Sequence, residues 1–283
     1  MTNRGVGELC SLAVDPSGKM LRRLIVWLPG VPLLTIIDPK SPGSLTLVGV
    51  GPGNPSLLTL AAVHAIETSD VIAYPVARLA AQSMAARIAA QWIRNDHTCL
   101  PLLFPMVDGA EPRRAAWHAA AHTLQKLVTE GQQVVLLCEG DASLFATCSY
   151  VLMALQQQWP DCPCHVIPGI SSVSAAAAAG LWPLALQQDQ LLLRPCPESP
   201  AELTIELDEA KEKGRVLALL KLGHRWEWVQ PLLDERKLLE KALFAEKVGW
   251  PDQQIQSADT VAASQRPYFS LLLIRQTWPN VLP

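Results

Sequence analysis

Short apolar runs alternate with stretches of helical apolar spacing between residues 44 and 180. The runs are rich in strand-forming residues and end at glycine, proline or polar residues, so they predict buried strands. These strands are predicted at residues 44–50, 70–75, 98–103, 133–140 and 164–169. Between them, apolar residues spaced i, i+3 and i+4 predict helices at residues 54–68, 77–92, 112–129, 141–159 and 170–180. Strands alternating with helices favour an α/β layer with a largely parallel sheet.

The pattern changes near residue 187, where the helices between apolar runs become fewer. Strands are predicted at residues 191–196, 215–223, 241–249 and 268–276, and helices at residues 202–213 and 226–239. The fold class is therefore α/β, with two α/β domains. We predict an N-terminal domain over residues 45–186 and a smaller mixed-sheet domain over residues 187–283. Residues 1–44 are rich in proline and lack clear periodicity, which predicts an irregular N-terminal extension.

Composition supports a large core and argues against nucleic-acid or membrane partners. Hydrophobic residues make up 49% of the 283 positions and charged residues only 17%, with a net charge of -3. No apolar run reaches the roughly 18 residues of a membrane span. Nothing global attracts the chain to nucleic acid or to an anionic membrane, so an anionic ligand would require a local cationic pocket.

The seven cysteines indicate a reducing compartment. Their number is odd, no CxxC pair occurs, and several lie inside apolar runs. This usage is typical of buried, reduced thiols rather than of a disulfide framework or a zinc site. We therefore predict a cytoplasmic protein.

A glycine-rich turn follows the first predicted strand, with Gly49, Gly51 and Gly53 at alternate positions. A strand, a glycine turn and a helix form the context of dinucleotide-binding fingerprints. The GxGxxG spacing fails, because Asn54 stands where the third glycine is needed. Pro52 also lacks an amide donor for a phosphate. The turn disfavours NAD or FAD and leaves another ligand, or a purely structural turn, as explanations.

Two further turns, at residues 139–145 and 166–172, join predicted strands to predicted helices. Open α/β sheets bind ligands at such carboxyl ends of strands. Asp141 is placed to cap one following helix, and Ser171 or Ser172 to cap the other. Capping alone would explain these residues, so structural and ligand-binding roles both stay open.

The three turns together resemble those of the tetrapyrrole methylases. The segments are GVGPGNPSLLTLAA from Gly49, CEGDASLFATCSY from Cys138 and VIPGISSVSAAAA from Val166. They match that family in order and spacing from about Leu45 to Arg275, over four-fifths of the chain. Further segments resemble the branch that methylates C20 of precorrin-2 or its cobalt complex: Phe104–Met106 with Trp117, Ser149–Tyr150, Ile170–Ser172 and Tyr268–Ser270.

The resemblance implies two α/β domains that fold S-adenosylmethionine between them, a small-molecule tetrapyrrole substrate, a homodimer and no protein-bound metal. It also implies a set of cofactor-binding residues: Pro52, Glu139, Gly140, Asp141, Leu144, Ser171, Ser172, Leu222 and Ala245. The chain departs from the family where Asn54 replaces Asp, Ala142 replaces Pro, Phe145-Ala146 replaces Tyr-Ser and Lys247 replaces Arg. Asn54 keeps the capping role, so we interpret it as a structural replacement, with the loss of a charge near the substrate as the alternative.

The amino-acid sequence alone does not identify the catalytic residues. A reduced tetrapyrrole supplies its own enamine-like carbon nucleophile, so no strong acid or nucleophile is required. Proton loss from C20 needs a base, for which Tyr74 and Glu139 are two weak candidates. His118 and His122 share one predicted helix face at metal-ligand spacing, but an exposed face explains them better.

Four arginines border the loops expected to face the substrate: Arg78, Arg87, Arg113 and Arg114. Most are expected to be surface charges, and one or two to meet ring carboxylates. Three alternative functions stay open. They are a sister methylase that acts at another ring position or on protein or RNA, a nicotinamide-dependent oxidoreductase, and a binding protein that kept the fold.

Overall fold

The computed structural model describes residues 43–78, 81–105, 107 and 109–279, together with the backbone of residues 9–14 and 20–25. Residues 1–42 and 43–283 form separate compact units. In the first unit, β1 (Leu9–Val14) and β2 (Met20–Ile25) pair antiparallel. The sequence predicts an irregular extension here, and this strand pair differs from that prediction. The rest of the extension lies outside the described residues.

The first sheet of the larger unit is wholly parallel, as predicted. Its strands are β3 (Ser44–Gly49), β4 (Val71–Val76), β5 (Thr98–Leu103), β6 (Gln133–Cys138) and β7 (Cys164–Ile167). They lie in the order β5-β4-β6-β3-β7. The connections from β3 to β4 and from β4 to β5 run toward one edge of the sheet. The connection from β6 to β7 crosses β3 toward the other edge, so the direction of the connections reverses beside β3. Such a reversal opens a ligand crevice at the carboxyl ends of the strands.

Helices cover both faces of this sheet. They are α1 (Leu60–Thr68), α2 (Met84–Ala89), α3 (Ala110–Thr129) and α4 (Thr147–Gln158), and α5 (Ser172–Ala179) follows β7. Alternate residues of β6 enter different cores: Leu137 packs with α1 and α2, and Leu136 packs with α3 and α4. Burial on both faces explains why the strands β3, β4 and β6 are continuous apolar runs in the sequence.

The second sheet is mixed, as predicted. Its strands are β8 (Gln190–Pro195), β9 (Arg215–Leu220), β10 (Ala242–Glu246), β11 (Gln254–Ser257) and β12 (Ser270–Ile274). The order is β11-β10-β12-β9-β8, in which only β8 and β9 run parallel. Strand β11 is not predicted from the sequence because this exposed edge strand has only one apolar residue, Ile255.

Helices α6 (Pro200–Glu212) and α7 (Trp226–Glu235) cover one face of the second sheet. The other face packs against α5, whose buried Val173 and Ala176 meet Ala218 and Leu273. The small side chains of α5 let its backbone approach this sheet closely. The β7–α5 connection therefore carries the chain from the strand ends of the first sheet onto the face of the second.

Helices α1, α2 and α4 begin later than the sequence predicts, α4 at Thr147. Asn54 caps only a 3-10 turn over Pro55–Leu57, and α1 begins at Leu60, where the Thr59 side chain accepts from the Ala62 amide at 3.1 Å. Ser83 caps α2, which shortens the predicted helix at residues 77–92. No helix within the described residues combines the length and apolar character needed to cross a membrane.

Candidate active site

The three glycine-bearing turns meet at the carboxyl end of the parallel sheet. Gly51 donates to the Gly140 carbonyl at 3.1 Å, and Gly140 donates back to Gly51 at 2.8 Å. A Cβ at Gly169 would lie 2.2 Å from the Gly140 carbonyl oxygen and 2.7 Å from the Gly49 carbonyl carbon. Only glycine fits at position 169, because backbone from the other two turns fills the side-chain space. The three turns are therefore one backbone assembly.

The Asp141 carboxylate fastens this assembly. One oxygen accepts from the Ser143 amide at 2.9 Å and from the Ser143 hydroxyl, and the other accepts from the Gly169 amide at 2.8 Å. Burial opposes ionisation, but the hydrogen bonds from Ser143 and Gly169 outweigh it and hold the pKa of Asp141 below its ordinary value. Asp141 thus ties the turn after β6 to the turn after β7.

Asp141 does not cap α4, so that explanation of its role is wrong. Helix α4 begins at Thr147, and Ala146 at its N-cap makes no side-chain capping bond. The residues before it form a separate turn whose Ala142 carbonyl accepts from the Ser149 hydroxyl at 3.0 Å. By contrast, Ser171 caps α5 by accepting from the Ser174 amide at 3.1 Å, which confirms one of the two predicted caps.

A cavity of about 510 Å³ lies between these turns and the strand ends of the second sheet. Seven of the nine predicted cofactor-binding residues line it: Pro52, Glu139, Gly140, Asp141, Leu144, Ser171 and Ser172. From the second sheet, the wall includes Lys221, Lys247, Tyr268, Phe269 and Ser270. Its volume falls within the range typical of small-molecule sites, about 300–1,000 Å³.

The other two predicted residues, Leu222 and Ala245, do not line the cavity. Both are fully buried in the cores of the second sheet. The Leu222 amide donates to the Ser270 carbonyl at 3.1 Å, and Ala245 pairs with Leu271 across the ladder. The neighbour of Leu222, Lys221, reaches the cavity instead. Lys221 is not among the predicted site residues, although its place at the end of the run LALLK is a signal for a strand-end ligand contact.

Glu139 is an acidic side chain in the cavity wall. No hydrogen bond or ion pair to its carboxylate comes from the described residues. Burial at the end of β6 raises the pKa of Glu139 to about 7. A carboxyl group with this pKa changes its protonation state near neutral pH.

Three of the six described non-glycine residues with left-handed backbone line the cavity. Phe145, Lys221 and Lys247 line it and adopt left-handed conformations, with φ of 51°, 60° and 49°. Non-glycine residues rarely adopt this conformation, and such strain often occurs at binding sites. Lys247 pairs with Asp252 at 2.6 Å, whereas the Lys221 ammonium lies 5.6 Å from the centroid of the Tyr268 ring. Lys221 thus offers a positive charge without an acidic partner in the described part of the chain.

Several candidates lie outside the cavity wall. His118 contacts Gln158 at 2.7 Å, and His122 packs on Trp159 with ring centroids 5.7 Å apart. The described residues contain no cluster of three or more potential metal-ligating side chains. The four candidate arginines are exposed, and none lines the cavity: Arg78, Arg87, Arg113 and Arg114.

Two of these arginines have partners of their own. The Arg87 guanidinium lies 4.5 Å from the centroid of the Trp250 ring, which lines the cavity, and Arg114 pairs with Glu111 at 3.0 Å. Of the segment that resembles the C20 branch, Phe104 lines the cavity and Met106 lies outside the described residues.

Comparison with known proteins identifies the family. The sequence model of the family of tetrapyrrole (corrin/porphyrin) methylases matches residues 44–263. The chain belongs to the tetrapyrrole methylases. The match begins at β3 and spans both sheets as far as the segment before β12.

Curated relatives of this methylase include enzymes specific for one ring position. It is 30% identical over 241 residues to a cobalt-precorrin-2 C(20)-methyltransferase of Salmonella typhimurium, covering 83% of this chain and 98% of that one. It is 27% identical over 240 residues to a precorrin-2 C(20)-methyltransferase of a Sinorhizobium species, covering 82% and 95%. Both alignments extend over nearly the whole relative.

A solved structure with the same fold is the uroporphyrin-III C-methyltransferase of Thermus thermophilus complexed with S-adenosylhomocysteine. The two chains are 20% identical, with a TM-score of 0.53, and the match covers 83% of this methylase and 98% of that structure. At this identity, the comparison supports the fold alone.

The departures of this methylase from its family pattern are accommodated locally. Asn54 is exposed, lies outside the cavity wall and accepts from the Ser56 amide at 2.9 Å. Ala142 is 2% exposed. Its carbonyl accepts from Cys148 and Ser149, so a turn without the usual proline is held by side chains of α4. Phe145 is half-exposed at the cavity and adopts the left-handed conformation noted above.

Proposed function

We propose that this chain transfers a methyl group from S-adenosylmethionine to C20 of precorrin-2, or of its cobalt complex cobalt-precorrin-2 or cobalt-factor II, in cobalamin biosynthesis. The family membership supports methyl transfer to a tetrapyrrole. The observation that supports C20 as the methylated position is the similarity to two C20-specific relatives over more than 80% of the chain. Tyr268, Phe269 and Ser270, which resemble that branch, line the cavity.

The residues of the cavity fit the methyl donor. A Cβ at Gly140 would meet no protein atom within 4 Å, so bare backbone faces open space in this wall. Ser171 and Ser172 line the same wall. These groups would hold the polar amino-acid end of the donor, and Pro52 and Leu144 its apolar surfaces. When bound, the donor supplies an electrophilic methyl group on a sulfonium.

The remaining wall suits an anionic tetrapyrrole ring. Lys221 offers an ammonium for a ring carboxylate, and charge-assisted bonds of this kind are strong. Tyr268 and Phe269 present half-exposed aromatic surface, with ring centroids 5.3 Å apart. These residues would place the meso carbon within the near-attack range, about 3–3.5 Å, while excluding water.

The alternative is a sister methylase that acts at another ring position. The fold alone does not distinguish the two, because a uroporphyrin-III C-methyltransferase shares it. The C20-specific relatives favour the first proposal.

Isotopic labelling tests the proposal directly. The protein would be incubated anaerobically with S-adenosylmethionine carrying a ¹³C methyl group and with precorrin-2, with and without cobalt. A single new ¹³C methyl resonance assigned to C20 is expected, and the preferred substrate form would follow from the two rates. Label at another position would favour the sister methylase. An unlabelled ring with both substrates would reject methyl transfer to this tetrapyrrole.

We also propose that the protein works in the cytoplasm as a homodimer. Support comes from an aromatic and apolar surface on α3 and α4, where Trp117 stacks on Tyr150 with centroids 4.1 Å apart. Tyr150 and Met153 on this surface are 48% and 63% exposed, as expected for residues covered by a second copy. The free cysteines described in the structure accord with a reducing compartment. A monomeric mass in light scattering at micromolar concentration would contradict the dimer.

A further inference from the structure

We propose that Glu139 is the base that removes the ring proton from the carbon that receives the methyl group. The inference rests on the proposed function and assigns a catalytic residue to it. It follows from the position of Glu139 in the cavity wall and from the engagement of the other acceptors there.

The chemistry requires such a group. The meso carbon forms a bond to the methyl carbon, the carbon–sulfur bond breaks, and sulfur keeps the electron pair as a neutral thioether. The same carbon still carries its hydrogen, and the ring carries the positive charge. When that carbon–hydrogen bond breaks, its electron pair returns to the ring and neutralises it. The proton goes to the Glu139 carboxylate, which becomes a carboxylic acid.

The other acidic group of the cavity is already engaged. Both Asp141 oxygens accept hydrogen bonds, from the Ser143 amide and hydroxyl and from the Gly169 amide. Protonating Asp141 would break the link between two turns. Glu139 lies two residues before Asp141, directly after the end of β6. No described residue bonds its carboxylate.

Other groups in or near the cavity suit the role less well. Tyr74, the other candidate base, lies outside the cavity wall, and burial raises its pKa further. Cys148 lines the cavity, but its pKa is raised, first by a hydrogen bond with Cys138 and then by burial. No histidine is among the residues that line this cavity.

The electrostatic surroundings allow Glu139 to accept and release a proton near neutral pH. Burial raises its pKa to about 7. The other titratable groups that line the cavity are Asp141, Lys221, Lys247, Tyr268, Cys138 and Cys148. A base with a pKa near the working pH combines an adequate ionised fraction with adequate proton affinity.

The substitution Glu139→Gln tests the assignment, since glutamine keeps the shape and removes the basic oxygen. Glu212→Gln is the matched control, because Glu212 is exposed at the end of α6. We expect kcat of Glu139→Gln to fall about 100-fold or more, as for loss of a general base. Affinity for S-adenosylhomocysteine in calorimetry should stay within threefold of the unsubstituted protein. The control should change neither quantity.

Two readouts separate a base from a merely structural residue. In Glu139→Gln, substrate deuterated at C20 should show a primary isotope effect on methylation, because proton removal becomes limiting. In the complex of the unsubstituted protein with S-adenosylhomocysteine and substrate in D₂O, mass spectrometry should show enzyme-dependent exchange of the C20 hydrogen. This exchange should fall at least tenfold in Glu139→Gln. It needs no methyl transfer, because the carboxylic acid delivers a deuteron to C20 and the carboxylate then removes the original proton.

The outcomes are distinguishable. Full turnover and unchanged C20 exchange in Glu139→Gln would overturn the inference. A tenfold loss of S-adenosylhomocysteine affinity with kcat preserved would also overturn it, because Glu139 would then be a cofactor ligand. If Glu139→Gln does not fold by circular dichroism, Glu139→Asp takes its place, with a partial rate and the same exchange assay. Unsubstituted protein that neither methylates nor exchanges C20 would instead reject the proposed function.

Discussion

The two walls of the cavity are built by different means. On the side of the parallel sheet, glycine turns touch backbone to backbone, and the Asp141 carboxylate joins two of them. On the side of the mixed sheet, Lys221 and Lys247 extend long side chains from left-handed strand ends. The first wall is fixed by short contacts, whereas the second presents charges on flexible stems.

This difference suits the two ligands that a methylase must bring together. A donor molecule that is the same throughout the family is best held by rigid backbone and short side chains. A ring with several carboxylates is better met by ammonium groups that adjust their position. The walls also touch directly: a Cβ at Gly53 would lie 2.8 Å from the Gly249 carbonyl carbon. Glycine at both positions lets the loops of the two sheets approach within backbone contact.

Loss of the Asp141 carboxylate should cause the largest change, because it disconnects two turns of the rigid wall. Asp141→Ala leaves the part-buried Gly169 amide without its acceptor, and an unsatisfied donor costs about 1–3 kcal/mol when it is fully buried, which is the upper bound here. We expect a comparable loss in the free energy of unfolding in urea. Affinity for S-adenosylhomocysteine should fall roughly tenfold, about 1.4 kcal/mol. Asp161→Ala, at an exposed aspartate that no described residue bonds through its side chain, is the control and should change neither value.

The pH dependence of this contribution has a defined sign. The folded pKa of Asp141 lies below its ordinary value of 3.8, so the ionised carboxylate stabilises the fold fully above that value. The contribution is lost as the pH falls through the lower folded pKa. The difference in unfolding free energy between the unsubstituted protein and Asp141→Asn should therefore shrink in strong acid. A difference that grows as the pH falls would show that Asp141 is not bound as described.

Removing a lysine from the flexible wall should have a smaller and more selective effect. Lys221→Met keeps the stem and deletes the charge, and we expect KM for the tetrapyrrole to rise roughly tenfold, about 1.4 kcal/mol. S-adenosylhomocysteine affinity should stay within threefold, because the charge faces the ring carboxylates. Steady-state kinetics and calorimetry separate the two quantities.

Lys247→Met is the matched comparison, since Lys247 also lines the cavity but already pairs with Asp252. Its effect on KM should be less than that of Lys221→Met. Equal increases in KM from the two substitutions would indicate that the tetrapyrrole does not bind the unpaired Lys221 in preference to the paired Lys247. In that case, the proposed contact with Lys221 would be wrong.

The sequence predicted the described helices and strands well because most strands are buried on both faces. Their apolar runs, such as residues 133–138, leave little ambiguity. The edge strand β11 escaped prediction because hydrogen bonds to β10, rather than burial, define it. Helix starts were less predictable: Asn54 and Asp141 are good capping residues, yet one caps a 3-10 turn and the other bonds a distant turn.

The site was predictable to the extent that it follows from strand ends. Seven predicted residues line the cavity because turns after neighbouring parallel strands must meet at one sheet edge. Leu222 and Ala245 are buried instead, because an apolar residue beside a strand end has a core to enter. Lys221 reaches the cavity through its left-handed backbone, which local sequence does not specify. The role of Glu139 depends on which acceptors the fold has already occupied.

The smallest expected effect concerns Asn54, at the edge of the rigid wall. Asn54→Asp restores the residue that the family pattern has there, and both residues cap well through a side-chain oxygen. The Asn54 side chain is exposed and bonds only the Ser56 amide among described partners, so the stability should change by less than about 0.5 kcal/mol, as for ordinary surface substitutions. KM and kcat should stay within twofold, because the side chain lies outside the cavity wall. Thermal unfolding and steady-state kinetics test this, with Asn54→Ala as the variant that loses the cap. A several-fold gain in kcat with Asp but not with Ala would mean that the missing charge acts on the substrate, and the rigid wall would then contribute to substrate binding as well.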